Sequence, residues 1–150
     1  MVQMKTALGG IPVHRTMLTD FRALTPRDSL ARAVELILAG SQHDFPVTED
    51  DTLVGILTRD KLLAALSQFD RTTPVEQVMQ REFTTVDYAE MLDLALMKLE
   101  ACACQTLAVT QRGQLVGLVT KDNIGEFLMI QSALRQAQGR SVRPLVRLSA

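Results

Sequence analysis

The chain has no tryptophan, one tyrosine and five phenylalanines among its 150 residues. Its hydrophobic content is still 47%, so the core must be largely aliphatic. Two cysteines, Cys102 and Cys104, are too few for a disulfide framework. With no histidine nearby they make a poor zinc site, which wants four ligands. They read as two small apolar residues closing a buried helix. The only histidines, His14 and His43, build no His-Glu-x-x-His pair. A Walker loop, a G-x-G-x-x-G turn and a recognisable Ser-His-Asp set are also lacking, so no catalytic site and no metal are expected. The formal net charge of −1 gives no reason to expect nucleic acid or an anionic membrane as the main partner. No apolar run approaches a membrane span, and Met1 to Gly10 lack the apolar core of a signal peptide. The expectation is a soluble segment of one domain, or two small units sharing a core, that could be part of something larger.

What the chain does have, it has twice. Leu53-Val54-Gly55-Ile56-Leu57-Thr58-Arg59-Asp60 reappears as Leu115-Val116-Gly117-Leu118-Val119-Thr120-Lys121-Asp122. Sliding the sequence by 62 residues aligns Pro12–Leu62 with Pro74–Ile124 without a gap, and fourteen of the 51 pairs are identical. Two copies are too few for an extended solenoid, so a closed pseudo-symmetric pair is expected. The fold class is α/β (α+β): two repeats, each a small three-stranded sheet with two helices. The boundaries are residues 11–68 and 73–136, followed by a basic tail, 137–150, broken by Gly139 and Pro144.

Within each copy the pattern is the same. A proline, Pro12 or Pro74, opens a short turn that ends at Met17 or Met79. Short strands follow at Phe21–Leu24 and Phe83–Val86. Thr25 with Asp28, and Asp87 with Glu90, have capping-box spacing. In the first helix Leu30, Ala33, Val34, Ile37 and Leu38 form one stripe. Its counterpart, residues 90–102, is apolar nearly all round, so something covers more than one side of it. Each copy then makes a hairpin, in which Asp51 or Gly113 takes the left-handed position. The hairpin ends at Thr58 or Thr120, which caps the next helix; Asp60 and Asp122 suit the dipole of its first turn. The last helix is expected over about 122–136.

Strand, helix, strand, strand, helix, with Gly-x-x-Thr closing the hairpin, resembles the cystathionine β-synthase (CBS) domain, and two in tandem resemble a CBS pair, or Bateman module. The runs His43-Asp44-Phe45-Pro46-Val47 and Asn123-Ile124-Gly125-Glu126-Phe127-Leu128-Met129 look most like the CBS pair attached to site-2-type membrane zinc proteases. Gly10-Ile11-Pro12-Val13 and Thr19-Asp20-Phe21 look similar to it as well. The resemblance implies a regulatory piece of such a protease, on the cytoplasmic side and tethered to the membrane in a longer protein. The catalytic part is absent from this chain.

The resemblance also implies an adenine nucleotide (ATP, ADP or AMP) bound between the repeats. The base would slide between apolar strands, near Phe45, Pro46, Leu107 and Ala108. Phosphate would meet Thr58 or Thr120 at a helix N-terminus, with Arg59, Lys61 and Lys121 adding positive charge. An Asp would take the ribose hydroxyls. Here the sequence departs from the family pattern of Thr-x-x-Asp, because Lys61 and Asn123 hold the Asp position. Asp60 and Asp122 fall one residue early, about 100° round the helix. Asn123 can still bond a hydroxyl and Lys61 has no acceptor, so the Thr120 site is expected to hold ribose better and the Thr58 site to depend on phosphate charge. The same threonines and aspartates would equally serve as caps in a dimerisation module that binds no small ligand. The apolar surface of Leu62, Leu63, Leu66, helix 90–102 and Phe127–Ile130 points to a homodimer.

Overall fold

The computed structural model describes the backbone of residues 10–149 and side chains as far as residue 138. Its helices are α1 (Leu30–Ala39), α2 (Arg59–Leu66), α3 (Leu92–Cys102) and α4 (Lys121–Ser149). Its strands are β1 (Phe45–Glu49), β2 (Thr52–Leu57), β3 (Thr85–Asp87), β4 (Thr106–Gln111) and β5 (Gln114–Thr120). They form one mixed sheet in the order β1-β2-β5-β4-β3. The two hairpins are antiparallel, β3 joins β4 in parallel, and the hairpins meet where Thr52 pairs with Gln114.

The mixed α/β class is as expected, but two separate three-stranded sheets are not what forms. In the first copy the third strand shrinks to one bridge, Leu24 with Val47. The cause is one residue. In the second copy the Tyr88 amide extends the ladder to the Thr110 carbonyl at 2.9 Å. Its counterpart, Pro26, has no N–H to donate.

Both hairpin loops have two residues, and both residues of each are left-handed: Asp50 and Asp51 at φ 53° and 66°, Arg112 and Gly113 at 54° and 80°. Positive φ at both positions is the type I′ turn that suits strand twist. The sequence pattern points to only the second left-handed residue of each loop.

The helix caps differ from expectation in a regular way. Thr58 caps α2 as expected, accepting from the Lys61 amide. The α1 cap is Ser29 and not Thr25, and α3 follows Met91 with no side-chain cap. Asp28 does accept from the Thr25 amide, at 2.8 Å, but this closes a turn ahead of the helix. Ser29 and Met91 are each held in an extended pair with a proline of the other copy, Pro74 and Pro12, so neither helix can begin earlier. At the far end, α4 runs past residue 136 to Ser149, where a tail was expected. The basic side chains from residue 139 onward lie outside the described residues.

Those proline contacts belong to a reciprocal exchange. Val13 donates to the Glu90 carbonyl and Val75 to the Asp28 carbonyl, both at 2.7 Å. Leu18 exchanges two backbone bonds with Leu118, and Gln80 exchanges two with Ile56. The opening segment of each copy therefore packs on the other copy. Ile11, Val13 and Met17 join the core of Leu92, Leu99, Leu107 and Ile124. Val75, Val78 and Met79 join that of Leu24, Leu30, Phe45 and Leu62. Leu62 is fully buried, whereas Leu63, Met97, Met129, Ile130 and Leu134 are more than half exposed.

The crossing is tight at two glycines. A Cβ on Gly55 would lie 2.5 Å from Met79 Sδ and 3.0 Å from the Gln80 carbonyl, and one on Gly117 would lie 2.7 Å from Met17 Sδ and 3.1 Å from the Leu18 carbonyl. Gly125, exposed on α4, has nothing within 4 Å. Gly55→Ala and Gly117→Ala should each lower the free energy of unfolding by roughly 1–3 kcal/mol through overpacking. Gly125→Ala should raise it by about 0.5–1 kcal/mol through helix entropy. Urea unfolding of the three variants checks the opposite signs.

Candidate functional site

The hairpins end in helix N-termini built by different bonds. At α4, Thr120 and Asn123 cap each other. The Thr120 hydroxyl accepts from the Asn123 amide at 2.9 Å and donates to Asn123 Oδ1 at 3.0 Å. Asn123 Oδ1 also accepts from the Thr120 amide, and Nδ2 donates to the Thr16 carbonyl of the first copy's opening segment. At α2, Lys61 cannot accept, and Asp44 Oδ1 takes the Arg59 amide at 3.3 Å instead. Asn123 is thus engaged at both ends of its amide.

Two cavities lie between the copies. The larger, about 670 Å³, is bounded by Leu18–Phe21 only in part, by Ser41, Gln42, His43 and Asp44, and by Arg59, Leu118, Thr120, Asp122, Asn123 and Glu126. The smaller, about 490 Å³, is bounded by Ile56, Thr58, Gln80, Glu82, Phe83, Thr84 and the turn Cys102–Cys104. Asp44, Asp60, Gln105 and Thr106 border both. Under the 62-residue shift Thr58 maps to Thr120, Ile56 to Leu118, Phe21 to Phe83 and Asp20 to Glu82, so these are two versions of one site.

The structure divides the sequence candidates into three groups. Thr120, Asp122, Asn123 and Arg59 border the larger cavity, Thr58 the smaller, and Asp60 both. Lys61 and Lys121 border neither. Phe45, Pro46, Leu107 and Ala108 are buried and border neither, because the strand faces that carry them pack into the cores. The apolar cavity walls come from Ile56 and Leu118, the residues that pair with Gln80 and Leu18. Phe21 and Phe83, one half-buried ring per cavity, were missed as site residues. The signal was available, since the ring occupies the same place in both repeats and offers a face for a base to stack on.

The charge at the two cavities also departs from expectation. Arg59 faces the Thr120 cavity and not the one at Thr58. Five carboxylates, Asp20, Asp44, Asp60, Asp122 and Glu126, border the same cavity. The smaller cavity has Asp44, Asp60 and Glu82 and neither Lys nor Arg among its bordering residues. Asp60 and Asp122 are exposed in the first turns of α2 and α4 and border these cavities. Such walls repel a bare phosphate and attract a cation or a neutral group rich in donors.

Cys102 and Cys104 are half-buried, not fully buried, and their sulfurs are bonded to each other across Ala103. Among the described residues no group of three His, Cys, Asp or Glu side chains is placed to hold a metal ion. Nor is any helix among them long and apolar enough to cross a membrane.

Residues 5–68 match the family model of the CBS domain. The chain is 29% identical over 109 residues to the CBS domain-containing protein YhcV of Bacillus subtilis (strain 168), a match covering 71% of this chain and 78% of that protein. Its fold is similar to that of CBSX2 in complex with AMP, with a TM-score of 0.71 at 24% identity, over 85% of this chain and 99% of that one. It is similar as well to the CBS domain pair of protein MJ0100 in complex with 5′-methylthioadenosine and S-adenosyl-L-methionine, with a TM-score of 0.69 at 21% identity, over 80% and 97% of the two chains. The first half of the chain matches the CBS domain in sequence, and the described structure as a whole has the fold of a CBS-domain pair.

Proposed function

We propose that this chain is a regulatory CBS-domain pair that senses an adenosine ligand in the two clefts between its repeats. The observation that carries the reading is the pair of equivalent cavities, each bordered by a helix-capping Thr, an aromatic ring and a free carboxylate. The ring suits a purine face and the carboxylate suits a ribose diol. The ligands named for CBSX2 and MJ0100 all contain adenosine, which supports that class.

The wall charge narrows the class further. In the smaller cleft, carboxylates without a cation favour a ligand that is neutral or positive beyond the ribose, such as a thioether or sulfonium. In the larger cleft Arg59 is the one cation among the bordering residues that a phosphate could meet. One charge reversal at partly solvated distance is worth on the order of 1 kcal/mol or more. S-adenosylmethionine and 5′-methylthioadenosine should therefore bind about tenfold or more tightly than AMP or ATP, since every 1.4 kcal/mol is tenfold. Asp60→Asn should narrow that gap. Calorimetric titration with the four compounds is the test. If none binds at millimolar concentration the sensing reading falls, and the pair is an interaction module only.

The exposed apolar faces of α2, α3 and α4 support assembly as a homodimer, with Leu63, Met97, Met129 and Ile130 as the covered residues. Sedimentation should give a dimer at micromolar concentration, and Met97→Glu with Met129→Glu a monomer; a wild-type monomer removes this part. We infer from the His43–Val47 and Asn123–Met129 runs that the controlled partner is an attached site-2-type membrane protease. Ligand-dependent proteolysis in a protein that joins the two parts would support that partner. Finally, Asn123→Ala should reduce stability by about 1–3 kcal/mol, because it strands the Thr120 and Thr16 partners of its amide. Thr58→Val, losing one cap, should cost about 1 kcal/mol by the same urea measurement.

A further inference from the structure

The two versions of the site differ most in the turn that leaves the first helix of each repeat. In the first copy that turn is Gly40-Ser41-Gln42, and Gln42 fixes it. The Gln42 side chain accepts from the Arg22 amide at 2.8 Å and donates to the Arg22 carbonyl at 2.8 Å and the Asp44 carbonyl at 3.0 Å. In the second copy the equivalent turn is Cys102-Ala103-Cys104, so Cys104 stands where Gln42 does and no such clamp exists. The tie is the sulfur–sulfur bond to Cys102.

That bond spans a turn with an unusual backbone. Ala103 is the C-cap of α3 at φ 55°, ψ 34°, a left-handed conformation that an alanine adopts only at a cost. The turn brings the two cysteine Cα atoms to 5.2 Å, inside the range a disulfide requires. Cys102, Ala103 and Cys104 all border the smaller cavity, as do Phe83 and Thr84. Thr84 is the counterpart of Arg22, the residue that Gln42 clamps. The chain has no other cysteine to compete for the pair.

We propose that Cys102 and Cys104 are a reversible thiol–disulfide site whose oxidation state sets the shape of the smaller cavity, with a low-molecular-weight disulfide as co-reactant. One cysteine thiolate attacks the small disulfide, giving a mixed disulfide and releasing one small thiol. The second thiolate displaces the other, closing the Cys102–Cys104 bond. Two electrons pass from the cysteines to the small disulfide, and the two cysteine protons leave on the two thiols released. Excess small thiol runs the same steps backwards. Oxidised, the turn holds the wall beside Thr58; reduced, the second copy lacks the clamp that Gln42 gives the first. That this regulates sensing rests on the reading of the smaller cavity as a ligand cleft; the thiol chemistry and its structural reach do not.

The test needs no ligand. The full chain is equilibrated in buffers of reduced and oxidised glutathione, free thiols are trapped by alkylation, and intact mass gives the oxidised fraction. Hydrogen exchange is followed in both states. The expected result is a disulfide within one chain that forms and reduces across the glutathione range. On reduction, exchange at residues 103–106 and 83–84 should speed by about tenfold, with Gln42 and Thr120 unchanged. Cys102→Ser and Cys104→Ser should each abolish the redox dependence. A pair that stays reduced in excess oxidised glutathione, or that forms only mixed or intermolecular disulfides, overturns the proposal. So does cycling that leaves exchange at residues 83–84 unchanged.

Discussion

The structure depends on a reciprocal backbone exchange between the repeats. Neither copy has a complete core of its own, because Val13 packs in the core of the second and Val75 in that of the first. The hydrogen bonds that place them, Val13 to Glu90 and Val75 to Asp28, come as a matched pair. So do Leu18 with Leu118 and Gln80 with Ile56. A sheet edge or helix start that would otherwise carry unpaired amides in one copy is satisfied by the other. The clefts exist because this exchange sets each opening segment across the partner hairpin and leaves space beyond the crossing. Gly55 and Gly117 mark how close that crossing is.

The exchange also explains what the sequence made legible. Periodicity and the Thr caps are local properties, and they survive translation by 62 residues, so the hairpins and the α2 and α4 starts could be read directly. The α1 and α3 starts could not, because their position is fixed by Pro74 and Pro12, far away in sequence. The Thr25–Asp28 spacing looks like a capping box and makes one of its bonds, but the helix begins only where the docked segment releases the chain. Loss of the third strand in the first copy was readable in principle, since Pro26 stands at the position of Tyr88 and lacks the amide that extends the ladder.

At the site, the helix N-termini were legible and the walls were not. Thr58 and Thr120 face cavities because a cap must stand where strand becomes helix. Which cavity Arg59 faces depends on how α2 lies against the sheet, and residue spacing does not fix that. The resemblance implied a slot for a base near Phe45 and Leu107, which are apolar strand residues. Such residues face either a cleft or a core, and here both are fully buried in cores. The carboxylates that decide the field, Asp20, Asp44, Glu82 and Glu126, come from segments brought together only by the exchange.

A symmetric backbone built from two unlike sequences yields two sites that share geometry and differ in chemistry. Asn123 locks Thr120 and ties it to Thr16, so the larger cleft rests on a side-chain bond across the repeat boundary. Its counterpart Lys61 can make no such bond, and Thr58 keeps a hydroxyl whose proton is not spent on its own cap. The opposite holds at the other rim, where Gln42 clamps the larger cleft and Cys104 leaves the smaller to a sulfur bond. The larger cleft is thus held by side-chain hydrogen bonds at both rims, and the smaller by a hydroxyl cap at one rim and a sulfur–sulfur bond at the other. Asp44, Asp60, Gln105 and Thr106 border both cavities. Two ligands bound together would therefore interact through Asp60, whose single carboxylate cannot satisfy two ribose diols at full strength.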